Sequence, residues 1–433
     1  MSEIKTIFGV ATAIGKSGVA VIRISGNACL KALAEFGVEN PKPREAMLCK
    51  LRYKGEVVDS ALVLYFKAPH SFTGEDVAEL HTHGSKAVIR RASEILSSMP
   101  NVRMALPGEF SRRAFENGKM DLTEAEGIAD LIDAETTAQA KQAIRQMQGE
   151  LGKIYNNWRD EMVDLLARVE AYIDFPDEDL PQSLKDQINS KIINLKSSII
   201  NHLNDNRRGE RIREGIYVVI LGAPNVGKSS LLNFLAGKEA AIVSATAGTT
   251  RDVIEVNMEI AGLPVTFADT AGLRDTKDEI ESEGIKRALD RARDADLKIL
   301  MIDANDTAPD LSLADDDTII VVNKVDDKKS PISNPHSPIS IKTGEGVDDF
   351  LKILSEKITT KYGLTESPVI TRARHREALN KALEALNQFS MDKPIELVGE
   401  DLRYTAREIG RITGKIDVED ILDKLFSSFC IGK

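Results

Sequence analysis

Cysteine is scarce in this 433-residue chain. The three present, Cys29, Cys49 and Cys430, include no pair at metal-ligand spacing, so neither a disulfide framework nor a zinc site is indicated. Cys29 and Cys49 lie among apolar neighbours and read as core thiols; Cys430, beside Phe426 and Phe429 at an apolar helix end, reads as a packed thiol too. No stretch reaches the ~18 uninterrupted apolar residues that a membrane span needs. The opening Met1-Ser-Glu-Ile-Lys-Thr6 lacks the basic region and apolar stretch of a secretory leader, and a cytoplasmic protein without membrane attachment is expected. Cationic residues are outnumbered, 57 Lys and Arg against 68 Asp and Glu, for a formal net charge of −11. That balance excludes a protein that coats nucleic acid through its whole surface; any RNA contact has to be local or helped by a partner. Internal repeats and low-complexity segments are also absent.

What is present is a soluble, multidomain composition, 42% hydrophobic and 29% charged, in a chain too long for one core. Val19–Ile24 and Ala61–Phe66 are compact strand-like runs, and Ser85–Leu96 has helical spacing. From Leu122 the period is helical, and Ile144, Met147, Leu151, Ile154, Trp158, Met162, Leu165, Val169 and Tyr172 predict one stripe on one long helix, ended by Pro176. A second helix is expected over Leu184–Leu203. At Ile216–Leu221 the pattern becomes that of a buried strand, strands and helices alternate to about Tyr362, and helical spacing returns after Thr371. The expected fold class is α/β and α+β multidomain: an α+β domain over 1–118, a helical part over 119–214, an α/β domain over 215–370 inserted into it, and a second helical part over 371–433. Two separate helical domains are the alternative. Arg207, Arg208, Arg211 and Arg213 on one side of the insert, and Arg372, Arg374, His375 and Arg376 on the other, fit solvated helix faces as well as RNA contacts.

Directly after the Ile216 strand stands Gly222-Ala-Pro-Asn-Val-Gly-Lys-Ser229, a phosphate-binding loop opening a helix. Its backbone N–H groups curl round phosphates, Lys228 reaches the β and γ phosphates, and the Ser229 hydroxyl ligates magnesium. Asn225, Val226, Gly227 and Ser230 complete this side of the site. Asn323-Lys324-Val325-Asp326 follows the apolar run Thr318–Val322, at the carboxyl end of a strand. Asp326 accepts from guanine N1–H and the exocyclic amine, donors that adenine does not offer in that pattern, so the nucleotide is expected to be GTP. Asp269-Thr270-Ala271-Gly272 ends another strand, placing Asp269 at the magnesium shell and the Gly272 amide at the γ phosphate. Between these motifs, Gly248-Thr249-Thr250 offers Thr250 as the second magnesium hydroxyl. Ser340-Ile341-Lys342 occupies the place of the remaining guanine-side motif, with Ile341 where alanine is usual.

These motifs, together with Gly18-Val-Ala-Val-Ile-Arg-Ile-Ser-Gly26, Ser71-Phe-Thr-Gly-Glu-Asp76, Pro107-Gly-Glu-Phe110, Asn117-Gly-Lys-Met-Asp-Leu122 and the terminal Phe429-Cys-Ile-Gly-Lys433, resemble the MnmE (TrmE) family of tRNA-modification GTPases over essentially the whole chain. The resemblance implies an N-terminal domain that binds 5-formyltetrahydrofolate or a related reduced folate and forms a homodimer. It implies a GTPase domain within a helical one, and action with the flavoprotein MnmG on C5 of the wobble uridine of certain tRNAs. The folate contacts carried over by motif are Arg23, Glu79, Lys119 and Lys433, and Cys430 becomes a residue needed for modification. His81 and His83, two apart on a strand, are taken to point to opposite faces, against a metal site.

The residue after Gly272 is Leu273, which has no hydrogen-bonding atom to orient an attacking water, where Ras-like enzymes have glutamine. Glu281, in the acidic run Asp275–Glu281, falls where the family has its catalytic glutamate. Arg251 and Arg274 show no clear path to the phosphoryl group. The resemblance implies potassium in place of an arginine: Asn225 and oxygens of Ser244, Ala245, Thr246, Ala247, Gly248 and Thr249 would supply its site (Ser244, Thr246 and Thr249 foremost), with Ala245 where an aspartate is frequent. Two rival functions are a ribosome-assembly GTPase switch, for which no KH-type Gly-x-x-Gly module follows the insert, and a folate-responsive regulatory GTPase.

Overall fold

The computed structural model describes residues 5–13, 15–173, 181–238, 255–269, 293–306, 308–326, 337–416, 419–427 and 429–432. They form two compact units: residues 1–129, 146–164 and 406–433 in one, and residues 130–145 and 165–405 in the other.

The first unit is built on a sheet of β1 (Thr6–Val10), β2 (Ser17–Ser25), β3 (Met47–Tyr53), β4 (Glu56–Phe66), β5 (Val77–Gly84) and β6 (Val102–Met104), in the order β3-β4-β5-β2-β1-β6. The described pairings are antiparallel except β1 with β6. Strand alternation sorts the side chains. Ile22, Ile24, Ala61, Val63, Ala78 and Leu80 pack into a core with helices α1 (Cys29–Glu35) and α2 (Lys86–Ser97). The α2 helix starts where the Ser85 side chain accepts from Ala87 N–H, an N-cap. Helix α3 (Glu109–Glu116) follows β6, and α4 (Leu122–Asp133) follows α3.

The stripe expected on one long helix lies on two, α5 (Thr137–Met147) and α6 (Glu150–Ile173). Gly149 between them has φ +80°, which ends one helix at a position suited to glycine. Leu151, Met162, Leu165 and Val169 are buried along α6 as expected, whereas Ile144 and Met147 on α5 are more than a third exposed. Pro176 lies outside the described residues.

The second unit holds a sheet of β7 (Ile216–Leu221), β8 (Glu255–Ile260), β9 (Leu263–Asp269), β10 (Leu297–Asp303), β11 (Thr318–Asn323) and β12 (Ser337–Ile339), ordered β12-β11-β10-β7-β9-β8. The described pairings are parallel except β8 with β9. Parallel strands need both faces covered, and their runs are accordingly mostly apolar. Helices α7 (Gln182–Leu203) and α8 (Arg208–Glu214) precede the sheet, α9 (Lys228–Ala236) follows β7, and helices Val347–Tyr362 and Ala373–Gln388 come after β12. The α7 and Ala373–Gln388 helices, from the two sides of the sheet in sequence, pack on each other, and Arg213 Nε donates to Thr371 O at 2.9 Å. The chain thus enters and leaves the α/β segment at one place, the condition for an insertion.

The two arginine clusters hold that root together. Glu210 is 1% exposed; Arg376 Nε donates to it at 3.0 Å and Arg207 Nε at 2.6 Å. Burial pushes the Glu210 carboxyl up, but the hydrogen bonds from Arg207 and Arg376 outweigh it and hold the acid below its ordinary range. Arg376 also reaches Asp205, Arg211 reaches Asp296 and Arg372 reaches Asp130, each at 2.6 Å. Arg211, Arg372 and Arg376 are thus neither solvated faces nor open RNA contacts, whereas Arg207 stays exposed. No described helix is long and apolar enough to cross a membrane.

Candidate nucleotide and folate sites

The phosphate loop joins β7 to α9. Gly227 has φ +107°, and a Cβ there would lie 2.4 Å from Asn323 Nδ2, so glycine is required on two counts. The Lys228 ammonium donates to the carbonyls of Gly222 at 2.8 Å and Ala223 at 2.9 Å, so the loop is curled round a cation at a helix N-terminus, the arrangement that receives phosphate. Val226 is buried, while Asn225, Ser229 and Ser230 are exposed on the loop and the first turn of α9.

Asn323 is 4% exposed and bridges two loops. Its Nδ2 donates to Val226 O at 2.8 Å, and its Oδ1 accepts from Ile341 N–H at 3.3 Å. Lys324 adds a second tie, donating to Asn225 O at 3.1 Å and to Asp303 Oδ2 at 2.5 Å. Asp303 was not singled out from the sequence. It ends β10 in register with Asn323 on β11, and the Lys324 hydrogen bond holds its carboxyl below the usual range. Val325 N–H donates to Ile339 O at 3.3 Å. Ser340 is buried and its Oγ accepts from Thr343 N–H; Ile341, in place of the usual alanine, packs on the sheet core, and Lys342 is exposed. Asp326 is exposed and has no hydrogen bond among the described residues, which leaves its carboxylate open to a base. Asp269 closes β9 in register with Ile220 of β7. Ser244, Ala245, Thr246, Ala247, Gly248, Thr249, Thr250, Thr270, Ala271, Gly272, Glu281 and Lys433 lie outside the described residues.

A second cluster forms in the first unit. Arg23 and Glu79 are cross-strand partners on β2 and β5, and Arg23 Nε and Nη2 both donate to Glu79 Oε1, at 3.0 and 2.9 Å. The guanidinium carbon is 5.3 Å from the Phe72 ring centroid and 5.8 Å from that of Phe110, within cation–π range. Arg23 Nη1 donates to Gly432 O at 3.4 Å, which brings the C-terminal tail to the pair. Gly432 is needed there, because a Cβ would lie 2.2 Å from Val10 O. Lys119 donates to Pro69 O at 3.0 Å, and its stem lies against Gly74, in the loop that carries Phe72.

Two expectations are corrected here. His81 and His83 do not point to opposite faces: positions two apart on a strand share a face, and both stand on the side of Glu79. His81 Nε2 lies 3.2 Å from Glu79 Oε2 and His83 Nδ1 lies 2.8 Å from Asp59 Oδ1. No cluster of acidic, His or Cys side chains able to hold a metal ion occurs among the described residues. Cys430 is exposed rather than packed. Phe426 and Phe429 stack edge to face, centroids 5.5 Å apart, and fill the core there, leaving the thiol outside. Cys29 is buried, as expected, and burial pushes its thiol far up from the usual range.

The sequence matches the family model of the MnmE helical domain over residues 122–430 and that of the GTP-binding protein TrmE N-terminus over residues 6–119. The tRNA modification GTPase MnmE of Paramagnetospirillum magneticum is 51% identical over 444 residues, 100% of each chain. Its namesake from Parvibaculum lavamentivorans is 51% identical over 445 residues, 99% of this chain and 100% of that one. The one from Rickettsia bellii is 48% identical over 444 residues, again 99% and 100%. Among solved structures, the G domain of the T. maritima FeoB iron transporter is 27% identical and covers 34% of this chain and 98% of that one, with a TM-score of 0.25. With motif order, sheet topology and full-length similarity in agreement, the chain belongs to the MnmE family of tRNA-modification GTPases.

Proposed function

We propose that the chain is the GTP-hydrolysing component of wobble-uridine modification, acting with the flavoprotein MnmG to place an aminomethyl or carboxymethylaminomethyl group on C5, with a reduced folate as one-carbon source. Family membership supports the GTP and tRNA parts. A ribosome-assembly switch has no support in a chain whose likeness to these relatives runs through its full length.

On the nucleotide side, Lys228 exchanges the carbonyls of Gly222 and Ala223 for the β and γ phosphates. The exposed Ser229, with Thr250, would hold magnesium; Asn225, with Ser244, Thr246 and Thr249, would hold potassium, which would supply positive charge to the transferring phosphoryl group. The exposed placement of Asn225 and Ser229 fits both.

The Arg23–Glu79 pair carries the folate part. It is a half-buried ion pair beside Phe72 and Phe110, so a planar heterocycle finds apolar walls and a carboxylate for its donor edge. Lys119 and Lys433 supply cations for the glutamate tail. The exposed thiol of Cys430 is available for chemistry. A homodimer through this unit fits the other side of the sheet from α2: Leu48 is 76% exposed there, paired with the half-buried Leu62 of β4.

Titrating 5-formyltetrahydrofolate into the full chain tests the reading. Glu79→Ala removes a charge-assisted acceptor worth about 1.5–3 kcal/mol and should weaken folate roughly 10- to 100-fold, with GTP affinity retained as a check on folding. Equal folate affinity in wild type and variant removes the pair from the site.

A further inference from the structure

Both arginine clusters that the sequence offered for RNA contain side chains committed to ion pairs at the root of the α/β insert. A different positive surface forms in the first unit from residues that are far apart in sequence. Helix α2 presents Lys86, Arg90 and Arg91 to solvent, and the turn of the β3–β4 hairpin presents Lys54. Lys16 and Lys86 line an open cleft of about 660 Å³, with Ser17 and Ser85, at the N-terminal end of α2, where the helix dipole adds to the positive potential.

Tyr53 joins the hairpin to the helix. Lys54 Nζ lies 5.1 Å and Arg91 Cζ 5.5 Å from its ring centroid, contacts that position two cations without neutralising them. The described carboxylates near the patch include Glu94, itself 56% exposed and 3.8 Å from Arg90 and 3.7 Å from Arg91, Glu56, which faces Tyr53 across the hairpin, and Asp59, which is 2.8 Å from His83 at the cleft. The patch therefore keeps a surplus of positive charge in a chain whose net charge is −11. Local surplus with an aromatic among the cations is the footprint of a nucleic-acid backbone contact.

We infer that this surface, formed by α2, the β3–β4 hairpin and Lys16, holds the sugar-phosphate backbone of the tRNA. The inference rests on the tRNA-modifying reading above and adds where the RNA sits. Helix α2 covers one side of the sheet, while Arg23, Glu79 and the proposed dimer contact occupy the other, so RNA, folate and a second copy do not compete for the same residues.

The test is the salt dependence of tRNA binding to the full chain, read by fluorescence anisotropy over a series of KCl concentrations. Each lost phosphate contact reduces the slope of log affinity against log salt by about 1. Lys86→Ala/Arg90→Ala/Arg91→Ala should therefore flatten it by about 3 and weaken binding by roughly tenfold or more at moderate salt. The control Lys42→Ala/Lys141→Ala/Lys352→Ala, equal in net charge and on exposed sites, should change neither, and both variants should keep the wild-type melting midpoint. An unchanged slope in the α2 variant overturns the assignment while leaving the tRNA reading intact. Wild type without salt-dependent tRNA binding overturns both the assignment and direct RNA contact by this chain. Loss of MnmG binding with tRNA affinity unchanged overturns it in favour of a protein contact.

Discussion

Asp326→Asn is expected to turn a guanine-selective site toward xanthine. The Asp326 carboxylate is exposed and has no hydrogen bond among the described residues, so replacing it breaks no described contact. The backbone around it is fixed independently, by Val325 N–H on Ile339 O and by Asn323 between the phosphate loop and Ile341. Two charge-assisted hydrogen bonds to guanine, at about 1.5–3 kcal/mol each, are at stake, and one of them meets a donor in the variant. GTP affinity should fall roughly 10²- to 10⁴-fold. XTP, whose 2-oxo group accepts from the new amide, should bind better to the variant than GTP does. Titration with both nucleotides decides it: an unchanged preference for GTP means that Asp326 does not face the base.

Glu281→Ala is expected to bind GTP nearly as wild type and to hydrolyse it at least about 10²-fold more slowly, the loss typical of a positioned acid or base. Leu273 follows the Asp269–Gly272 motif and offers no hydrogen-bonding atom, so another residue has to orient the water, the role proposed for Glu281. The residues proposed to read phosphate and guanine, Lys228 and Asp326, lie elsewhere in the sequence. This separates turnover from affinity. The same reading makes hydrolysis depend on potassium, through Asn225 and the oxygens of Ser244, Thr246 and Thr249, and sodium should not replace it. Single-turnover hydrolysis in the two salts tests both halves; near-normal rates in the variant sink the first, and equal rates in potassium and sodium sink the second.

The strands that carry the nucleotide motifs were readable because each is a short buried apolar run ending at a turn: β7 before Gly222, β9 through Ala268 and β11 before Lys324 all fall where the sequence puts them. Hydrophobic period alone could not show the break at Gly149. Apolar spacing of three and four continues across a two-residue interruption, and only the left-handed backbone there separates α5 from α6. The shared face of His81 and His83 was legible in the sequence, since period-two alternation already puts both on the side of Glu79. Cys430 was misjudged because its aromatic neighbours pack with each other and not with it. Other features depend on partners remote in sequence. Asp303 is one acid among many until Lys324 lies against it, and the arginines near 210 and 375 look available until Asp130, Asp205 and Asp296 close on them. The α2 patch gathers residues 16, 54, 86, 90 and 91, which no local window contains together.

The central claim is that this chain acts in tRNA wobble-uridine modification, and the most direct measurement is mass spectrometry of tRNA nucleosides from a strain lacking it. Unmodified uridine should accumulate at the wobble position of the tRNAs that normally carry the C5 group, and reintroducing the chain should restore the modified nucleoside. Intact modification, with ribosomal precursors accumulating instead, would contradict the claim and move the protein to the ribosome-assembly class.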